Sequence, residues 1–217
     1  MYKLPRTKIN LLRAIAVAIA IFAIVVSVCT VFNVVYIRTY VNGKSMQPTL
    51  NTSFDITDKR DVVYINRFAK VSIDDIVVLD LRNHPNFSGY TVKRLIATEG
   101  DIVNIVYNSQ SQEYDLLVND AVFYSKPNLG GGYNTYNSFL QYIENHEQDA
   151  SRIYKENDIA QGVIVKKGEI FVLGDNWEVS KDSSLVGPLK KNTIVGRVDI
   201  VVKPHQNEFV QILKRIF

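Results

Sequence analysis

The chain has 217 residues, 47% of them hydrophobic and 22% charged. That length supports one domain, or two small ones, with a substantial buried core, and the charged fraction excludes wholesale disorder. The formal net charge of +3 comes from the N-terminus: Lys3, Arg6, Lys8 and Arg13 come with no acid among them, and without these four the basic residues number fewer than the 22 acidic ones. A basic nucleic-acid-binding domain is therefore not expected, and no nucleic acid partner is assigned.

From Ala14 to Ile37 no side chain is charged. A helix of that length reaches about 36 Å, enough to cross the hydrocarbon core of a bilayer. The run exceeds the apolar core of a cleaved signal peptide, which is about 7–15 residues. Basic residues before it and a nearly neutral chain after it predict a single-pass protein of the cell membrane. Residues 1–13 are read as a cytoplasmic tail, 14–37 as the transmembrane anchor in the lipid bilayer, and 38–217 as the extracytoplasmic domain. Cys29, the one cysteine, lies inside the anchor, so no intrachain disulfide is available. Val28 stands where a lipoprotein acylation site needs a small residue, which leaves a membrane-buried thiol.

Beyond Tyr40 the pattern is short, β-branched and bounded by turns. Strands are predicted at Asp61–Asn66, Asp75–Leu81, Gly89–Ala97, Asp101–Tyr107, Tyr114–Val118, Val163–Val165, Glu169–Leu173 and Ile194–Val202. The predicted fold class is mainly β, an antiparallel domain behind a single membrane helix. Residues 127–161 break the pattern with Gly130-Gly131-Gly132 and a helical stretch, Thr135–Glu147, in which Phe139, Tyr142 and Ile143 share a face. This segment reads either as an inserted, partly helical cap or partner surface or as a solvated loop. The tail Glu208–Phe217 is amphipathic and is expected to pack as a helix on the domain.

His84, His146 and His205 are far apart and in no ligand spacing, so no metal site and no cofactor are assigned. A Gly-x-Ser-x-Gly elbow and a phosphate-binding glycine loop are both missing. Three other segments stand out. Asn42-Gly43-Lys44-Ser45-Met46-Gln47-Pro48-Thr49-Leu50 sets a small hydroxyl between turn residues just past the anchor. Val92-Lys93-Arg94-Leu95-Ile96, running on to Gly100-Asp101, puts two adjacent cations in a strand, so they face opposite sides and one of them should face inward. Phe171-Val172-Leu173-Gly174-Asp175-Asn176-Trp177, with Ser180-Lys181-Asp182-Ser183-Ser184 after it, ends a buried strand in a polar loop.

Together and in this order, these segments resemble the motifs of the type I signal peptidases, membrane-anchored serine proteases with a Ser-Lys dyad, and Val71–Asp80 looks like the family's fourth box. The resemblance runs from the anchor to about residue 202, apart from 127–161, and is to the Gram-positive-like branch. It implies that Ser45 is the nucleophile and Lys93 the general base, with Arg94 a supporting cation. It further implies that Ser180 orients the lysine amine, that Asp175 and Asp182 shape the site, and that Met46 lines the substrate pocket. Preprotein signal peptides are the implied substrates. A lysine ordinarily titrates near about 10.4, and holding it neutral at pH 7 costs roughly 4.6 kcal/mol, which burial can supply. The backbone N–H of Ser45 is the first oxyanion donor; Gly43, where some members carry a serine, provides no side-chain donor, and the second donor is unassigned.

Three positions depart from the family pattern: Glu99 stands for its usual proline, and Trp177 and Ser184 stand for arginines. They leave Asp175 and Asp182 with Arg94 and Lys181 as candidate cations, and suggest a specialised paralogue. An alternative is a non-catalytic membrane-anchored chaperone or assembly factor for surface proteins such as pilins. A self-cleaving Ser-Lys regulator of the repressor type shares the dyad chemistry but lacks the anchor.

Overall fold

The computed structural model describes residues 6–52, 59–125 and 132–216. The chain divides into two compact units, Met1–Ile37 and Arg38–Phe217. In the first, α1 (Arg6–Val35) is one continuous helix whose Asn10–Val35 portion is long and apolar enough to cross a membrane.

The second unit is the expected mainly antiparallel β body. Its strands are β1 (Tyr36–Tyr40), β2 (Val62–Asn66), β3 (Ile76–Asp80), β4 (Tyr90–Thr98), β5 (Ile102–Asn108), β6 (Glu113–Val118), β7 (Ala121–Ser125), β8 (Ile153–Glu156), β9 (Ile159–Ile164), β10 (Glu169–Leu173), β11 (Leu189–Lys190) and β12 (Ile194–Val202). A seven-stranded sheet runs β1-β2-β12-β3-β4-β10-β11, and a five-stranded sheet runs β7-β6-β5-β9-β8.

Alternation along the central strands explains why both faces are apolar. Ile170 and Val172 of β10 enter one core cluster with Val77, Leu79 and Leu95, while Phe171 and Leu173 enter another with Val103, Ile105 and Leu116. Side chains two apart on a strand share a face, so a strand covered on both sides must be apolar at every position. A third cluster, Val41, Met46, Leu50, Val63, Ile65 and Val78, packs behind the segment that follows β1. Opposite β10, β4 holds one extra residue, because Phe171 pairs with Ala97 and Val172 with Leu95. Such a bulge bends a strand and re-aims its side chains, and it lies three residues past Lys93.

The described part of the 127–161 segment is partly helical, as expected, and it packs into the core rather than forming a solvated loop. Residues 126–131, including Pro127, Gly130 and Gly131, lie outside the described residues. The helix α2 (Gly132–Asn145) begins earlier than the predicted Thr135. Its Phe139 is fully buried, with Tyr142 and Ile143 beside it in the core of the second sheet, and the Phe139 and Phe171 rings meet edge to face at 6.4 Å. Residues three and four apart on a helix share one face, so this face drives the docking. β8 and the first half of β9 also come from the segment and complete the five-stranded sheet.

Two short helices finish the fold. The one-turn α3 (Ser183–Val186) is N-capped by Asp182 and ends at Gly187, whose φ of +78° and contact with the Tyr142 ring exclude a β-carbon. The tail forms α4 (Glu208–Ile216), held on the domain by polar groups: Arg38 and Tyr64 both donate to Glu208 Oε1, at 2.6 and 2.5 Å. Its apolar residues do not all pack as expected, since Phe209 is 67% exposed.

Candidate active site

Ser45 lies in an irregular turn rather than on a strand. Gly43 takes φ +83°, Gln47 N–H donates to Lys44 O at 3.0 Å and Leu50 N–H donates to Met46 O at 2.8 Å. The turn is pinned to the loop after β10 in two places. Asn176 N–H donates to Ser45 O at 2.9 Å, and Thr49 Oγ1 donates to Asp175 Oδ2 at 2.5 Å. The close approach explains Gly174: a β-carbon there collides with Ser180 Oγ and Ser45 O.

Lys93 projects from β4 beside Val77 of β3 and is 2% exposed. Its Nζ donates to Ser180 Oγ at 3.0 Å, and Ser180 Oγ in turn donates to Asp182 Oδ2. Burial pushes the Lys93 amine below the ordinary lysine range, against the opposing pull of the Asp182 and Asp175 charges. Ser45, Met46 and Lys93 line one cavity of about 670 Å³ with Val78, Phe87, Tyr90, Val92, Val179 and Lys181. Met46 is both a lining residue and a core residue, 2% exposed, so it forms a fixed floor. Among the described residues no hydrogen bond joins Ser45 Oγ to Lys93 Nζ; what they share is the cavity.

Both adjacent cations are largely buried, where the sequence led us to expect one. The Arg94 side chain is 12% exposed and grips Asp175 with two parallel bonds, Nε to Oδ1 at 2.9 Å and Nη2 to Oδ2 at 2.7 Å. Its Nη1 reaches Asp74 O at 2.8 Å. A forked guanidinium–carboxylate pair is stronger and more directional than a point contact, which is why a buried Asp175 is tolerated.

Asp182 is fully buried. Lys181 was a candidate cation for it, but among the described residues forms no ion pair with it; its Nζ sits 5.8 Å from the Phe87 ring centroid. Hydrogen bonds take the cation's place. Asp182 Oδ2 accepts from Gly174 N–H at 2.9 Å and from Ser180, and Oδ1 accepts from the Ser184 hydroxyl at 2.8 Å and its N–H at 3.1 Å. Ser184 thus stands in place of an arginine by donating twice to the same oxygen. Trp177 has a different task. It is 3% exposed in the core under α2, and Thr135 Oγ1 donates to its carbonyl at 2.8 Å. Glu99 is at the β4–β5 turn, where its carboxylate accepts from Gly168 N–H at 3.3 Å.

The structure brings Ser45, Met46, Lys93, Arg94, Asp175, Ser180 and Asp182 into one connected region. The histidines stay outside it: His84 packs edge-on against Phe87, and His146 stacks on Tyr142. Among the described residues no group of three or more His, Cys, Asp or Glu is arranged to hold a metal ion. Sequence reasoning missed Thr49, whose place beside Asp175 the Pro-Thr-Leu run signalled, and Ser184, which reads as a lost charge until its two donors are seen.

A buried, weakly basic amine beside a serine in an open cleft is equipment for acyl transfer. Comparison with known proteins agrees. The family described as signal peptidase, peptidase S26, matches residues 12–203 of the chain, and the chain belongs to it. It is 29% identical to signal peptidase I P of Bacillus subtilis subsp. natto over 190 residues, 87% of this chain and 88% of that one. It is 29% identical over 166 residues to signal peptidase IB of Staphylococcus aureus, covering 73% of each. The mitochondrial ATP-independent inner membrane protease subunit 1b of Arabidopsis thaliana is 27% identical over 168 residues, 77% of this chain and 70% of its own. The protein is thus a hydrolase of the signal peptidase I type, and these matches do not favour a non-catalytic assembly factor.

Proposed function

We propose that the protein is a membrane-anchored serine endopeptidase that removes signal peptides from exported preproteins, with Ser45 as nucleophile and neutral Lys93 as general base. The observation that carries this is the Lys93 amine: 2% exposed, lowered in basicity by burial, and on the wall of the cleft that Ser45 lines. The amine donates one hydrogen to Ser180, whose own proton goes to Asp182, and its lone pair is left for the Ser45 proton. The Ser45 oxygen then attacks the scissile carbonyl carbon. The charge that develops on the carbonyl oxygen is met by Ser45 N–H. Lys93, now an ammonium, protonates the leaving amine, and water deprotonated by the same lysine hydrolyses the ester. Ser45 and Lys93 draw within hydrogen-bonding distance once substrate fills the cleft, as unliganded sites are often looser than their reacting complexes.

The tail before Arg13 stays cytoplasmic, α1 spans the bilayer and Arg38–Phe217 works outside, as the basic N-terminus directs. The replacement of two arginines by Trp177 and Ser184, with α2 braced on the first, supports a specialised paralogue with its own preprotein set. Purified wild type, Ser45→Ala and Lys93→Ala are to be compared on a panel of bacterial preproteins. Each variant should lose at least about 10³-fold in kcat while remaining folded, as circular dichroism would check. Full activity in either variant removes that residue from the chemistry.

A further inference from the structure

The turn that carries Ser45 has no strand ladder of its own, and besides the contacts to Asp175 and Asn176 a second polar cluster holds it. Asp61 immediately precedes β2 and Lys203 immediately follows β12. Because Val62 pairs with Val202, the antiparallel register sets the two side by side. Lys203 Nζ reaches Asp61 Oδ2 at 2.7 Å, with the Asp61 side chain 1% exposed. The same Nζ donates to Thr49 O at 2.8 Å. Asn51, 1% exposed, takes φ +59°, a backbone conformation that asparagine tolerates better than most residues. Its N–H donates to Asp61 Oδ2 at 2.8 Å and its Oδ1 accepts from Asp61 N–H at 2.9 Å. Its Nδ2 donates to Val41 O at 2.8 Å and to Gly43 O at 3.0 Å. The cluster therefore ties down the backbone on both sides of Ser45, at residues 41, 43 and 49.

We propose that Asn51, Asp61 and Lys203 are positioning residues for Ser45, fixing where its hydroxyl stands relative to Lys93. The inference rests on the reading of Ser45 as nucleophile. None of the three lines the cleft, so they do not touch substrate. Nor does stability alone account for them: an ion pair with one buried and one partly exposed member contributes little net stability, and Asp61 Oδ1 is buried without a hydrogen-bond partner among the described residues. What the cluster supplies is geometry. Together with the Asp175 and Asn176 contacts, it leaves the turn little freedom to drift, and a displacement near 1 Å of a reacting group costs about 10²-fold in rate.

The test uses the full-length protein in detergent and a fluorogenic signal-peptide substrate with alanine at the first and third positions before the cut. Four variants are compared: Lys203→Met, the conservative Lys203→Arg, the charge-neutral Asp61→Asn/Lys203→Met, and Asn51→Gly, which keeps the positive φ but removes the side chain. The double variant and Asn51→Gly decide the outcome if the single variant fails to fold. The expected result is a kcat lower by about 10–100-fold with KM within about twofold of wild type, the acid limb of the pH profile unmoved, and partial recovery in Lys203→Arg. Folded variants with wild-type kcat overturn the proposal, as does a loss confined to KM or a shifted pH limb. Ser45→Ala, run alongside, separates the two claims: its full activity removes the nucleophile, whereas its inactivity with active cluster variants removes only the positioning role.

Discussion

The surroundings of Lys93 act on its amine in two opposing directions. Burial lowers its pKa, while the charges of Asp182 and Asp175 raise it. Between the folded value and the ordinary lysine range, the unfolded chain holds a proton that the folded chain has released. Folding stability therefore rises with pH across that window, at about 1.4 kcal/mol per pH unit for this one group, and the whole cost is present below it. In the proposed mechanism only the neutral amine accepts the Ser45 proton, so kcat/KM should climb along an acid limb below the usual lysine range. Asp182→Asn removes the largest charge holding the proton on. The acid limb should then move to lower pH, while kcat falls because Ser180 loses its carboxylate acceptor. A pH–rate profile of this variant that is unmoved, or moved to higher pH, contradicts the assignment of that limb to Lys93.

The helix α2 and the loop after β10 act as one packing unit. Phe139, Tyr142 and Ile143 bury against Trp177 and the second sheet, and Thr135 fastens the Trp177 carbonyl only three residues before Ser180. Phe139→Ala should cost about 3–5 kcal/mol in urea unfolding, the range for losing a fully buried aromatic ring; a loss under about 1 kcal/mol would mean that α2 is peripheral. This unit also shows where sequence reading reaches its limit. The strands that alternate or run apolar, such as Glu169–Leu173 and Ile194–Val202, were legible because burial leaves a periodic trace. β7 and β8 were not, although each sits beside an Asn-Asp turn, Asn119-Asp120 and Asn157-Asp158, with both residues at positive φ. That is the backbone of a two-residue hairpin, and the dipeptide was its sign. Lys93 and Ser45 were visible as members of motifs, whereas Ser184 and Asn51 act through partners set by tertiary register, which no local pattern records. The role of Trp177 was hidden for the same reason: its partner helix lies some forty residues earlier.

Across the whole molecule the charge separates into two functions. The basic residues before Ala14 are the basis for the proposed orientation of α1, and the remaining chain is close to neutral. Ser45 lies eight residues beyond Ile37, at most about 27 Å of extended chain, so in the proposed topology the anchor limits how far the catalytic serine can range from the bilayer. In the proposed topology a signal peptide embedded in the same bilayer meets the enzyme at a raised effective concentration. Arg38–Phe217 is a compact unit with its own three core clusters, and it should fold when produced without residues 1–37. That fragment should cleave a soluble signal-peptide substrate at a kcat within about threefold of the full chain, because every group of the cleft is retained. Against a preprotein reconstituted in vesicles it should fall behind the anchored enzyme by about 10²-fold, the gain that tethering commonly provides. Equal rates in vesicles would show that the helix contributes no proximity, and a fragment unable to cut the soluble substrate would show that the cleft depends on the first unit.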